Sequence, residues 1–379
     1  MTIGNSNGLQ TSSLTPSGDA GLMINNNFKR LEYLINPKNY LINGGFNFAQ
    51  RQLPTAATSF ADDAYGPDRW YHLSQTASTQ YTRVAGTDGT DISPLSPFIG
   101  RLTQNQVAAQ RHGIAQIVEN HYCAELRSTS VRFQIQVRSS NSTTIRYAIL
   151  EWTGTADTVT SDWVLDWTNG TFTAGQFFTT TSTTVAGTGS TAVTANAWST
   201  VSVEAAVSAS MNNIAVMVWT DSTQAQNSTL DLGQAMLVRI PSVGLAGNLI
   251  WQSPEPNEEF KRCQRYFQTN TRFDEAPADN ATFNESYIGN QLDATNVYAD
   301  IKFPVRIRSN NPTMTYYRSS NSSSNGQWGY YNGGYSNGSG TTAGTAISEQ
   351  GMRVGQTTTS LTTGHSRLVK GMYTASAEL

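Results

Sequence analysis

The side chains able to do chemistry are few in this 379-residue chain, and their spacing is loose. Asp62, Asp63 and Asp68 share the turn-rich segment Ala61 to Asp68, just before Arg69-Trp70. Three carboxylates in one loop can bind Ca²⁺ through oxygen ligands, but no twelve-residue calcium loop accompanies them. A capped turn with an Asp-Arg pair explains them as well, and no metal is assigned. His112, His121 and Cys123 lie close together, and imidazole plus thiolate can hold zinc. The CxxC or HxxxH partner set that zinc needs is missing, so they read as core or surface residues. His365 stands alone in a polar loop. Glu258 and Glu259 have Lys261 and Arg262 as helix neighbours, which reads as a salt-bridged helix face rather than a glycosidase acid pair. With no Gly-x-Ser-x-Gly motif either, the sequence predicts no catalytic residue, no cofactor and no enzymatic activity.

Aromatic residues say more. Eight Trp and 16 Tyr stand in a chain whose charged fraction is only 13%. A flat ring with a polar tip can stack on the apolar face of a sugar, and the same ring can fill a β-sandwich core. Trp152, Trp163, Trp198 and Trp219 lie in or beside β-like runs and are expected in the core. The stretch Gln327 to Gly338 differs, because Trp328, Tyr330, Tyr331 and Tyr335 alternate with Gly and Asn, as in paratope loops. Four rings in so short a segment are expected to leave some exposed, so these four are the candidate ligand-binding residues. Contact with a neighbouring subunit is the alternative.

The elements that must position them follow from periodicity. Low charge is offset by neutral polar residues, with 38% hydrophobic, which fits neither a charged disordered tail nor a membrane protein. A net charge of -3 without a basic block argues against nucleic acid as a partner. No apolar run reaches the ~18 residues that would span a bilayer, so membrane insertion is not expected. Met1-Thr2-Ile3-Gly4 opens no signal peptide, so synthesis in a cytoplasm is expected, with Cys123 and Cys263 reduced and buried.

Asp19 can cap a short helix whose seam is Ile24, Phe28, Leu31 and Ile35, ended by Pro37. Such a helix is too short to be stable alone and needs another surface. From Tyr40 to about Leu249 the period is two, as in Val131 to Arg138, and strands are predicted at 131–138, 145–152, 200–207, 214–219 and 230–238. The Thr/Gly-rich stretch Thr153 to Thr194 carries Trp163, Trp167, Phe172, Phe177 and Phe178, which predicts ordered strands and loops. A helix capped by Asn257, with Phe260, Cys263 and Phe267 on one face, separates this region from a second alternating one. There Val297 to Ile307 reads as a strand, placed at an edge or bulged by Pro304. The fold class is therefore mainly β. Three parts are predicted: residues 1–38 for anchoring and oligomerisation, a jelly-roll β-sandwich over 39–253, and a β-rich tip domain over 254–379 entered by a short helix.

Leu41-Ile42-Asn43-Gly44-Gly45-Phe46 with Gln50-Arg51, Asp68-Arg69-Trp70, Gln116-Ile117-Val118-Glu119, Cys263-Gln264-Arg265-Tyr266-Phe267 and Tyr373 to Leu379 recur in a fixed order. Together they resemble a family of bacteriophage virion fibre proteins, mostly tail fibres, over about 40 to 379. The resemblance implies an external virion appendage whose first domain looks like a carbohydrate-binding jelly roll. It also implies a homotrimer, other virion proteins as partners of residues 1–38, and a host cell-surface glycan as ligand. The chain departs from the family pattern at Met236-Leu237-Val238, where a Leu-Glu pair is usual. A structural head fibre or connector is the alternative function; a depolymerase is disfavoured for want of a carboxylate pair.

Overall fold

Alternation in the sequence becomes two faces of a sheet wherever one face finds a partner. The computed structural model describes residues 37–53, 55–86, 97–159, 162–244, 249–272, 275–279, 286–318, 326–331, 335–337, 342–358 and 363–379. The predicted N-terminal helix with its Ile24 to Ile35 seam lies outside the described residues. A six-stranded antiparallel sheet runs in the order β1 (Thr58–Ala61), β3 (Ser78–Ala85), β4 (Phe98–Thr103), β11 (Thr229–Ile240), β6 (Ser130–Ser139) and β9 (Ser199–Ala206). It faces a five-stranded sheet ordered β2 (Tyr71–Ser74), β5 (His112–Val118), β10 (Asn213–Thr220), β7 (Thr143–Trp152) and β8 (Thr183–Val193). Val131, Phe133, Ile135 and Val137 of β6 point into the core between them, with Ile145 and Ile149 of β7 and Ile214, Val216 and Val218 of β10. The protein is mainly β, and this half has the two-sheet form of a jelly-roll sandwich.

The outer face of the five-stranded sheet is also buried. Tyr71, Leu73, Ala115, Ile117, Leu150, Met217 and Trp219 lie under Val159, Trp163, Phe177 and Phe178 from the segment between β7 and β8. Phe177 stacks on Trp219 with centroids 5.2 Å apart and planes 17° apart. The Thr/Gly-rich stretch is thus held by its aromatics as a cover for its own sheet.

Short α1 (Asn120–Cys123) follows β5, and α2 (Pro256–Gln264) leads into the second β region. The cap of α2 is Glu255 rather than Asn257: its side chain accepts from the Glu258 amide, and Pro256 takes the first helical position. A seven-stranded sheet follows, ordered β17 (Tyr335–Asn337), β16 (Gly329–Tyr331), β20 (Ser366–Lys370), β13 (Ser286–Gln291), β14 (Asn296–Lys302), β19 (Gly351–Thr357) and β18 (Thr342–Ser348). A three-stranded sheet, β12 (Phe267–Thr269), β21 (Met372–Ser376) and β15 (Thr313–Tyr317), contributes Tyr373 and Ala375 to a core shared with Val297, Ile301, Val354 and Val369. The strand predicted at 297–307, at an edge or bulged by Pro304, is instead interior and regular, paired to β13 and β19, and it stops at Lys302. Ending two residues before Pro304 removes the conflict between proline and the ladder.

Candidate functional site

The four predicted ligand-binding rings are not a loop. Gly329 to Tyr331 pair with Tyr335 to Asn337 as a narrow hairpin, and Tyr331 pairs with Tyr335 across it. Trp328 is wholly buried: its indole N–H donates to the Met372 carbonyl at 3.0 Å, and its ring stacks on Tyr287 and meets Tyr316 edge-on. Space for that ring exists because residue 371 is glycine, where a Cβ would overlap the indole. Tyr330 is 3% exposed and lies beside Val369 in the register. As ligand-contacting rings Trp328 and Tyr330 are therefore ruled out by burial, since a hairpin registered on β20 turns alternate residues into the core. Tyr331, 43% exposed, is on the other face.

That face continues outward from Tyr331. One position beyond the Tyr330 to Val369 pair, Tyr331 falls beside Leu368, which is 41% exposed and paired directly with Ile288, 72% exposed. Leu292, just past the end of β13, is 63% exposed. The same row passes to β14 at Asp300 and to β19 at Arg353, which is paired with Asp300. Arg353 grips Asp300 with a two-point fork, Nε to Oδ1 at 2.7 Å and Nη2 to Oδ2 at 2.9 Å, and these hydrogen bonds hold the Asp300 carboxyl below its usual range. Beyond the pair opens a groove of about 590 Å³ whose polar lining includes Lys302, Arg306, Ser348 and Gln350. Arg306 is paired with Glu349, and Lys302 makes no ion pair among the described residues. The fork uses only two of the five N–H donors of the Arg353 guanidinium, so others can serve a ligand while the pair stays closed. Apolar row, polar fork and groove form one continuous surface. The sequence held only Tyr331 of it, because Ile288, Leu368, Asp300 and Arg353 come from four strands, and Ile288 and Leu368 lie 80 residues apart in the chain.

The resemblance motifs converge elsewhere, on a buried joint between the sandwich and the second β region. Asn43 donates its side-chain amide to the carbonyls of Phe48 (2.8 Å) and Asp68 (3.0 Å), its backbone N–H pairs with Glu259 of α2, and its carbonyl accepts from the Trp70 indole (3.1 Å). The backbone of Gly44 lies so close to the Ala235 carbonyl that a Cβ could not fit. Arg69 is 1% exposed; it binds the Glu378 carboxylate and the Ile117 carbonyl, with its guanidinium 3.7 Å over the Tyr266 ring. Arg51 reaches Glu378 at 2.9 Å and lies 3.8 Å over Phe267. Glu119 takes Arg265 at 2.8 Å and the Tyr266 hydroxyl at 2.7 Å. Burial works against its charge, but these hydrogen bonds prevail and lower its pKa.

The remaining candidates for chemistry are dispersed. Burial pushes Asp68 up to about 6 against the pull of Arg51, and its oxygens accept from Gln50, while Asp62 accepts from the Ser74 amide. Asp63 is pushed up to about 7 by burial, with the charges of Asp62 and Asp162 adding to it. His112 begins β5, whereas His121 and Cys123 lie in α1 past its other end. Burial lowers His72 to about 3 and His112 to about 4, and raises Cys123 to about 12. Both cysteines are buried free thiols. Glu258 pairs with Lys261 on an exposed helix face, as expected, but Glu259, paired with Arg262, is buried rather than solvated because it also accepts the Asn43 backbone N–H in the joint. Among the described residues no group of three His, Cys, Asp or Glu is placed to share a metal ion.

No protein-family model matches the sequence, and no curated protein does. Solved structures do resemble part of it. The CBM22-1–GH10 modules of the Clostridium thermocellum endo-1,4-β-D-xylanase 10B complexed with xylohexaose are 13% identical over 52% of this chain and 30% of theirs, with a TM-score of 0.30. TmCBM61 in complex with β-1,4-galactotriose is 11% identical over 54% of this chain and 99% of its own, TM-score 0.30. The enzymatically active domain of bacteriophage CBA120 tailspike protein 4 is 9% identical over 53% of this chain and 21% of its own, TM-score 0.30. Sugar-binding β domains thus recur among the neighbours. At this similarity no residue role passes from them to this chain.

Proposed function

We propose that the protein is a carbohydrate-binding subunit of an external phage fibre, such as a tail fibre, which holds a host-surface glycan reversibly on the outer face of its seven-stranded sheet. The observation that carries this reading is the continuous surface of Tyr331, Leu368 and Ile288 with the Asp300–Arg353 fork and the adjoining groove. Sugars have both kinds of surface, C–H patches that favour rings and aliphatic side chains, and hydroxyls that favour forked donors and acceptors. Of the four predicted rings, Tyr331 makes the contact and Trp328 supports its strand from beneath. The sandwich serves as scaffold, its five-stranded outer face being filled by its own aromatics. We further propose residues 1–38 as the attachment and oligomerising segment, a homotrimer whose multivalency raises weak affinity, and no catalytic step. The boundaries 39–253 and 254–379 belong to the same proposal. The buried joint supports a second reading, a rigid structural head fibre or connector, because Arg51, Arg69 and Glu378 tie the two halves together without reference to any ligand.

Binding of the purified full chain to isolated host surface polysaccharide tests the first reading. Saturable binding is expected, weakened by Tyr331→Ala and unaccompanied by release of oligosaccharide. Absence of binding together with normal incorporation into particles would favour the connector.

A further inference from the structure

Resting on the carbohydrate-binding reading above, we infer that this surface selects a neutral sugar bearing a methyl-containing substituent, a 6-deoxy or an N- or O-acetyl group, over unsubstituted or acidic sugars. Ile288 and Leu368 face each other across β13 and β20, 72% and 41% exposed, between Tyr331 on one side and the Asp300–Arg353 fork on the other. Neither aliphatic side chain can take a hydrogen bond, so a hydroxyl pressed on them loses water and gains no partner. A methyl group there loses nothing and buries apolar surface.

Charge points the same way. Arg353 is committed to Asp300 and Arg306 to Glu349, so two of the three cations in and beside the groove are already neutralised. In the groove a sugar carboxylate would find only Lys302 outside these pairs among the described residues, and Lys370, two residues along β20 from Leu368, has an interaction of its own. Among the described residues four exposed apolar side chains make a small patch, suited to the apolar face of a sugar rather than to an interface of roughly 20 to 30 residues a side. The row crosses five strands, four steps of about 4.8 Å each or roughly 19 Å, which suits a short stretch of oligosaccharide lying across the strands.

Titration of the full chain with three polysaccharide probes tests this: one rich in N-acetyl or 6-deoxy sugars, the same polymer after deacetylation or a fully hydroxylated analogue, and a polyuronate. Each is run at low and high salt, on wild type, Ile288→Ser and Leu368→Ser. The expected result is a preference of about tenfold for the substituted probe, insensitive to salt, that either substitution abolishes while the melting temperature stays put. Equal affinity for the hydroxylated probe overturns the inference and leaves carbohydrate binding standing, as does a salt-sensitive preference for the polyuronate. Failure to bind any probe overturns both. A change of oligomeric state in Ile288→Ser would make the face a contact between copies and overturn the inference too.

Discussion

Two sheet faces in this molecule meet opposite fates. The outer face of the five-stranded sheet carries Tyr71, Met217 and Trp219 and is closed by Trp163, Phe177 and Phe178. The outer face of the seven-stranded sheet carries Ile288, Leu368 and Tyr331 and lies open among the described residues. The difference is one of chain supply. About thirty residues join β7 to β8, enough to fold back over their own sheet, whereas β13 and β14 are joined by a turn of four. Richness in aromatics therefore does not mark the open face here. The ring-rich face is a second core, and the open one is mostly aliphatic with a single exposed tyrosine.

The sharpest way to break this comparison is to remove a ring from the closed face. Trp219→Ala should destabilise the protein by about 3 to 5 kcal/mol, read from denaturant midpoints, because the indole is buried and its contacts have nowhere to go. Trp328→Ala should cost a similar amount. A loss under about 1 kcal/mol at Trp328 would mean that the ring is not core and return it to the list of surface contacts.

Glu378→Ala examines the joint that holds both faces on one body. Arg69 would be left buried without its anion, and a loss of about 3 to 5 kcal/mol is expected, with the second β region protected less than the sandwich in hydrogen exchange. Uniform exchange and an unchanged midpoint would show that the joint does not couple the halves.

A smaller effect concerns acid. His72 and His112 titrate at about 3 and 4 when folded against 6.5 in the unfolded chain, so unfolding takes up protons between those values. Each imidazole contributes stability that is present above pH 6.5 and lost as pH falls towards 4. Asp63 and Asp68, raised to about 7 and 6, have the opposite sign and lose stability as pH rises through those values. The net profile of wild type is thereby flattened. His112→Leu should change its slope between pH 6.5 and 4 by up to about 1.4 kcal/mol per pH unit. Parallel profiles for the two proteins would contradict the burial of a neutral ring.

The smallest stability effect belongs to the open face. Tyr331→Ala should stay within about 0.5 kcal/mol of wild type while glycan affinity falls by about tenfold. If stability falls with affinity, the ring is structural after all and the contrast between the two faces disappears.

Much of the fold was legible because it is local. Strict alternation from Val131 to Arg138 already says which side chains enter a core, and the strand at 130–139 obeys it. The shared face of Phe260 and Cys263 announced α2, with an error of two residues in its cap that only the Glu255 side-chain bond resolves, while Phe267, read onto the same face, begins β12. Likewise the residue types exclude a membrane-spanning helix among the described elements. What no local rule contains is which face of a sheet is covered. Trp328 and Tyr331 are three residues apart in the same Gly-rich text, yet one is sealed against Met372 and the other half-exposed, because register on β20 sends them to opposite sides. The family-like motifs are similar: Asn43, Arg69, Glu119, Tyr266 and Glu378 stand far apart in sequence, and only the return of the last strand to the sandwich brings their charges together. By itself the sequence determined the strands of unbroken alternation and their polar and apolar sides, since each depends on a few neighbouring residues. The joint and the open face depend on contacts between distant segments, whose closure is decided by packing of the whole chain.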